Sequence, residues 1–172
     1  MRLSKALKLK NRLAGEITKL KLTIQTHNSV RKGKTPDNEF EVRALFVKLE
    51  QRIDELVLVK TAIAVANAGV VPGPNQAVYD ASNFKRIFLL AELKGEIEFL
   101  RTIDTKHGVF NEGYAAGGMA QYEVTYEAAF RERDISAMVG EIQKRIDDVQ
   151  DGIDAFNAAA INEAAALDDI RI

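Results

Sequence analysis

Apolar residues recur every three or four positions along four separate stretches of the chain, and each stretch predicts an amphipathic helix. In the first, Leu9, Leu13, Ile17, Leu20 and Ile24 share one face of a helix that turns about 100° per residue; its end is expected near His27-Asn28. The second opens after Thr35-Pro36, a capping hydroxyl followed by a proline suited to the first helical position. Its stripe is Val42, Phe46, Leu49, Ile53, Leu56 and Ile63, and it closes near Asn67-Ala68-Gly69. Asp80 or Ser82 can cap the third, which carries Ile87, Leu90, Leu93, Ile97 and Leu100 and is expected to run to about His107-Gly108. Asp134 is the cap expected for the fourth, with Ile135, Met138, Ile142, Ile146, Val149, Ile153 and Phe156 as its stripe. The Ala-rich tail, about 158–172, either prolongs that helix or docks as a short extra one.

Between these stretches the period changes. Val70-Val71 and Ala77-Val78-Tyr79 flank Pro72-Gly73-Pro74-Asn75, which predicts a β-hairpin. Tyr122–Tyr126 alternates as a half-buried strand does, and is expected to join that hairpin, because an isolated two-stranded ribbon is marginal in water. Ser29–Lys34 and the Gly- and Ala-rich stretch 108–121 read as loops.

The helices are not independent. LAGEITKLKLTIQTH at residues 13–27 is matched by LKGEIEFLRTIDTKH at residues 93–107, so that Leu13/Leu93, Gly15/Gly95, Glu16/Glu96, Ile17/Ile97, Leu20/Leu100 and His27/His107 coincide. The second and fourth helices also match, through Arg52-Ile53-Asp54 and Arg145-Ile146-Asp147. Each half is therefore a helical hairpin, about 1–69 and about 80–160, joined by the linker at about 70–79. One hairpin cannot bury its own apolar face, whereas two can cover each other. The expected fold is a single mainly α domain: a four-helix bundle from two duplicated hairpins, with a small antiparallel β-hairpin or three-stranded sheet at one end.

Composition narrows the chemistry. Of 172 residues, 47% are hydrophobic and 28% charged, with no cysteine, so thiolate metal sites, disulfides and a cysteine nucleophile are excluded. The longest apolar stretch, Ala62–Val71, contains Asn67 and is far shorter than the ~20 residues that span a bilayer; a soluble, cytoplasmic protein is the expectation. The net charge of −1 is uneven. Residues 1–34 hold ten Lys or Arg against Glu16 alone, a net of +9, which leaves −10 for the other 138 residues. Lys5, Lys8, Arg12 and Lys19 form a stripe suited to an anionic surface. The acidic last helix, if packed beside the first, would supply an internal partner instead.

His27 and His107, the only histidines, are the candidates for a paired site. No His-x-x-x-His or Glu-x-x-His pair accompanies them, so neither a metal nor any other cofactor is expected, and each reads as a helix-ending histidine that can bond free carbonyls. Gly15 and Gly95 read as points of close helix approach. Gly113–Gly118 lacks the spacing of a phosphate-binding loop, and no Gly-x-Ser-x-Gly is present, so no catalytic residue is assigned.

The order of elements resembles the septicolysin-like family of uncharacterised bacterial proteins. The resembling features are the Leu3–Ile24 helix, the closure on Ile63-Ala64-Val65-Ala66-Asn67, the hairpin, the strand Tyr122–Tyr126, and the helix that runs from Asp134-Ile135 through Arg145-Ile146-Asp147 to Asn157. The resemblance implies no activity and no catalytic residues. The expected function is a non-enzymatic helical protein that acts through self-assembly, as a dimer first, or through contact with another protein. A membrane-surface-binding protein using the basic first helix is the alternative, and a metal-dependent enzyme the second; nucleic acid is disfavoured.

Overall fold

The computed structural model describes residues 2–33, 38–68, 81–113 and 122–169. Four helices carry the fold: α1 (Leu3–His27), α2 (Asn38–Ala68), α3 (Ala81–Leu100) and α4 (Glu132–Asp169). The strands are β1 (Ser29–Arg31), β2 (Gly108–Glu112) and β3 (Tyr122–Ala128). The architecture is mainly α with a small three-stranded antiparallel sheet, as the periodicity predicts.

The stripes meet in one core. α1 packs on α2, α2 on α3 and α3 on α4, and Leu13, Ile24, Val42, Leu49, Leu93 and Leu100 are its most deeply buried side chains. Leu9, Leu20, Leu90, Met138 and Val149 flank it, partly buried. One stripe residue departs from expectation: Ile87 is exposed, because α3 turns Leu89, Leu90 and Leu93 inward.

Helix ends correct the sequence reading in two places. α4 begins two residues before Asp134, which occupies the first turn; its carboxylate accepts the Arg131 N–H at 2.9 Å, the reach-back half of a capping box. α3 ends at Leu100, not near His107. Beyond it, tight turns donate Thr102 N–H to Phe99 and Ile103 N–H to Leu100, and bury Ile103 in the core. α1 ends at His27 as expected, and α4 runs through the Ala-rich segment to Asp169. Asp80 and Thr35-Pro36 lie outside the described residues.

The sheet differs more. Its order is β1-β3-β2, with Ser29 opposite Ala128 and Gly108 opposite Tyr126. The predicted strand at Tyr122 is therefore its centre, but its neighbours come from two stretches read as loops, and the predicted hairpin at residues 70–79 lies outside the described residues. β1 has only three residues, too few to show an alternation. β2 opens on Gly108 with φ 105°, a conformation that glycine adopts without strain. Each strand follows its repeat histidine, so the duplicated halves flank β3 on either side.

Fully buried Asn28 joins these parts. Its Nδ2 donates to the Asp104 carbonyl at 2.8 Å and the Phe130 carbonyl at 2.9 Å, and its Oδ1 accepts the Phe130 N–H at 2.9 Å. The Asn28 carbonyl accepts the Ala129 N–H as well. One side chain thus ties the end of α1 to the segment after α3 and to the entry of α4.

Candidate functional site

The notable chemistry lies in the second half of the bundle. Leu89, Leu93 and Glu96 of α3 fall at i, i+4 and i+7, and so share one face. Across from them, Val47, Glu50 and Asp54 of α2 fall at i, i+3 and i+7 and likewise share a face, and Arg145 of α4 reaches the same space. Together they border a cleft of about 260 Å³.

Glu96 is 3% exposed, and no described group lies within hydrogen-bond or ion-pair distance of its carboxylate. Burial disfavours the charged form, and neighbouring Glu50 adds repulsion; Arg145 and Lys21 oppose them, while Asp54 adds to the repulsion. The balance pushes Glu96 up to about 7. Glu50 is also raised, by desolvation first, with Arg145 pulling down and Asp54 pushing up.

The repeat makes a contrast within the same chain. Glu16, the counterpart of Glu96, forms an ion pair with Arg52 at 3.1 Å, and Arg52 also donates a hydrogen bond to Glu55 at 2.6 Å. Glu96 and Arg145, their counterparts in the other half, border one cleft without closing on each other. The first copy is a surface ion-pair cluster, and the second is an open cleft with a buried acid.

The histidines occupy the sheet end of the bundle. His27 Nδ1 lies 2.8 Å from the Thr23 carbonyl and 2.9 Å from Thr26 Oγ1, the helix-terminal role expected of it. His107 sits beyond the end of α3, and its Nδ1 accepts the Ala128 N–H at 3.2 Å. The two loops run side by side, since Ser29 Oγ donates to the Lys106 carbonyl at 2.8 Å. The rings differ in role: a carbonyl contact calls for a proton on Nδ1 of His27, and an N–H contact for a lone pair on Nδ1 of His107. Among the described residues, no group of three or more His, Asp or Glu is placed to hold a metal ion.

A hydrogen-bonded cluster crosses the sheet nearby. Arg31 of β1 bonds Glu112 of β2 at 2.6 Å, the Tyr126 hydroxyl of β3 donates to the same carboxylate, and Arg31 Nε donates to that hydroxyl at 3.3 Å. Phe110 meets Tyr126 edge-on at 5.8 Å.

Lys5, Lys8, Arg12 and Lys19 are all exposed on one arc of α1. Arg12 pairs with Glu16 at 3.7 Å, and no ion pair joins α1 to α4 among the described residues. The ion pairs expected between α1 and the acidic last helix are thus not formed among the described residues, where α1 packs on α2. Gly15 and Gly95 are a second correction: a Cβ at either would meet nothing within 4 Å, so close helix approach is not their role.

Glu96 and its cleft were legible only in part. Glu96 was visible as a repeat match, and its place on the Leu93-Ile97-Leu100 stripe marks it as a carboxylate on an apolar face. The contributions of Glu50 and Arg145 depend on how three helices pack, which no local pattern carries.

Fold and site define a helical bundle with a small sheet at one end and a buried, unpaired carboxylate in a cleft between three helices. Compared with known families, curated proteins and solved structures, the chain matches none.

Proposed function

We propose that this protein is non-enzymatic and acts by self-association, with the outer edge of β2 as its contact. The observation that supports this reading is a strand edge with no partner among the described residues, combined with exposed apolar side chains. Among those residues β2 has β3 on one side only, Val109 is 61% exposed, Phe110 next to it is exposed, and so is Tyr122 of β3, opposite Glu112. Such an edge offers free backbone donors and acceptors to another strand. A second copy pairing antiparallel through the same edge closes it by two-fold symmetry.

Light scattering coupled to size exclusion tests the reading. The expected result is a dimer for the parent protein and a monomer for Val109→Lys, a charge on an edge position that already faces solvent. A parent protein that stays monomeric at about 100 μM, near the upper end of useful affinities, removes it.

A second reading is contact with an anionic membrane surface. It is favoured by the exposed stripe Lys5, Lys8, Arg12 and Lys19, to which α4 contributes no ion pair among the described residues. No helix among the described residues is long and apolar enough to cross a membrane, so the contact is peripheral. Co-sedimentation with phosphatidylserine vesicles should be lost on charge reversal of the four residues, and absence of binding by the parent protein at low salt excludes this reading.

A further inference from the structure

The cleft between α2, α3 and α4 carries an inference of its own, separate from the sheet edge. A buried carboxylate is tolerated when it is paired or neutral. The first half of the molecule pairs its copy, Glu16 with Arg52 at 3.1 Å. The second half keeps Glu96 at 3% exposure with no described partner and opens it onto a space of about 260 Å³.

What would satisfy Glu96 is set by its surroundings. Three carboxylates, Glu50, Asp54 and Glu96, face one guanidinium, Arg145, so the cleft disfavours anions. The acidic groups are not placed as a metal-ligand set, which favours a cation with N–H donors of its own. Leu89 and Leu93 line the same space and suit a short alkyl body. The volume lies slightly below the ~300–1,000 Å³ of pockets for drug-sized molecules, so the ligand is small.

We propose that this cleft binds a small organic ammonium ion of the alkylamine class, with its N–H groups on Glu96, its charge shared with Glu50 and Asp54, and its alkyl chain against Leu89 and Leu93. Arg145 limits the net negative charge of the cleft and favours the ionised carboxylates.

Binding is coupled to a proton. The charged groups around Glu96 are Glu50 and Asp54 from α2, Arg145 from α4 and Lys21 from α1, and their balance with burial places its pKa at about 7. The ammonium ion selects the ionised carboxylate, so binding releases a proton and strengthens as pH rises from about 6 to about 8. The fraction of ionised Glu96 grows about tenfold over that range, which sets the expected change in affinity.

The test is a titration followed by methyl NMR, with n-butylammonium and 1,4-diaminobutane as probes and n-butanol and butyrate as controls. The expected result is saturable shifts at Leu89 and Leu93 with the amines alone, a Kd about tenfold lower at pH 8 than at pH 6, and loss of that pH dependence in Glu96→Gln. Asp54→Asn, at an exposed position, keeps the fold and should weaken binding several-fold, so the proposal stays testable if Glu96→Gln does not fold. No shift up to about 20 mM amine, a concentration covering even very weak affinities, overturns the proposal. Equal shifts with butanol, or an unchanged titration in Asp54→Asn, also overturn it.

Discussion

Asn28 and Phe130 hold each other by two reciprocal hydrogen bonds, Nδ2 to the Phe130 carbonyl and the Phe130 N–H to Oδ1, both at 2.9 Å. A side-chain amide here does what a strand partner does elsewhere: it satisfies both polar groups of one buried backbone residue. Because Asn28 Nδ2 also bonds Asp104, the end of α1 is fastened to the segment that follows α3.

Replacing Asn28 by alanine leaves the Phe130 N–H and the two carbonyls without that partner. Each buried unsatisfied group costs about 1–3 kcal/mol, and since the effects overlap, a loss of about 2–4 kcal/mol is expected in urea unfolding. Asn28→Asp keeps the acceptor but loses both donors, and should also destabilise. A loss below about 0.5 kcal/mol in the alanine variant, the size of an ordinary surface substitution, would contradict this role.

Glu96 makes stability fall with rising pH. Its folded pKa of about 7 lies above the ordinary value of 4.5, so between these values the folded state holds a proton that the unfolded state has released. The stabilisation contributed by the protonated Glu96 is therefore fully present below about pH 4.5, declines through pH 7, and above it is lower by about 3 kcal/mol. Glu96→Gln should remove most of this slope and exceed the parent protein in stability at pH 8. Urea midpoints measured from pH 5 to pH 8 check the sign; parallel curves for the two proteins would refute it.

Gly15 and Gly95 lie inside helices with open space where a Cβ would stand. Alanine at either should stabilise by about 0.5–1 kcal/mol through its better helix propensity. At Gly152, a Cβ would come within 2.9 Å of Arg86 Nε, so Gly152→Ala should gain less because the arginine must shift. Thermal melts of the three single variants test the order.

Tyr126→Phe removes the hydroxyl between Arg31 and Glu112 while leaving their 2.6 Å ion pair in place. A loss of about 0.5–1.5 kcal/mol is expected for one hydrogen-bonding group, with the sheet otherwise intact. Amide exchange at Phe110 and Thr125 reads the effect locally, and unchanged protection there together with unchanged stability would show the cluster to be incidental.

The four helices and most of what they bury are legible in the chain alone, because an apolar residue every three or four positions is a property of each segment; the end of α3 and the exposure of Ile87 are not. Leu13, Ile17, Leu49, Ile53, Leu93, Ile97, Ile142 and Ile146 are core residues as their spacing predicts. The pairing of α1 with α2 and of α3 with α4 follows the expectation of two helical hairpins. The partners of β3 come from the packing, since Ser29–Arg31 and Gly108–Glu112 become strands by being held beside it. The packing also decided the different fates of Glu16 and Glu96. The two share a local sequence, but one reaches Arg52 at the surface, while the other is enclosed by α2 and α4, and the energy of a carboxylate depends on what surrounds it rather than on its neighbours along the chain.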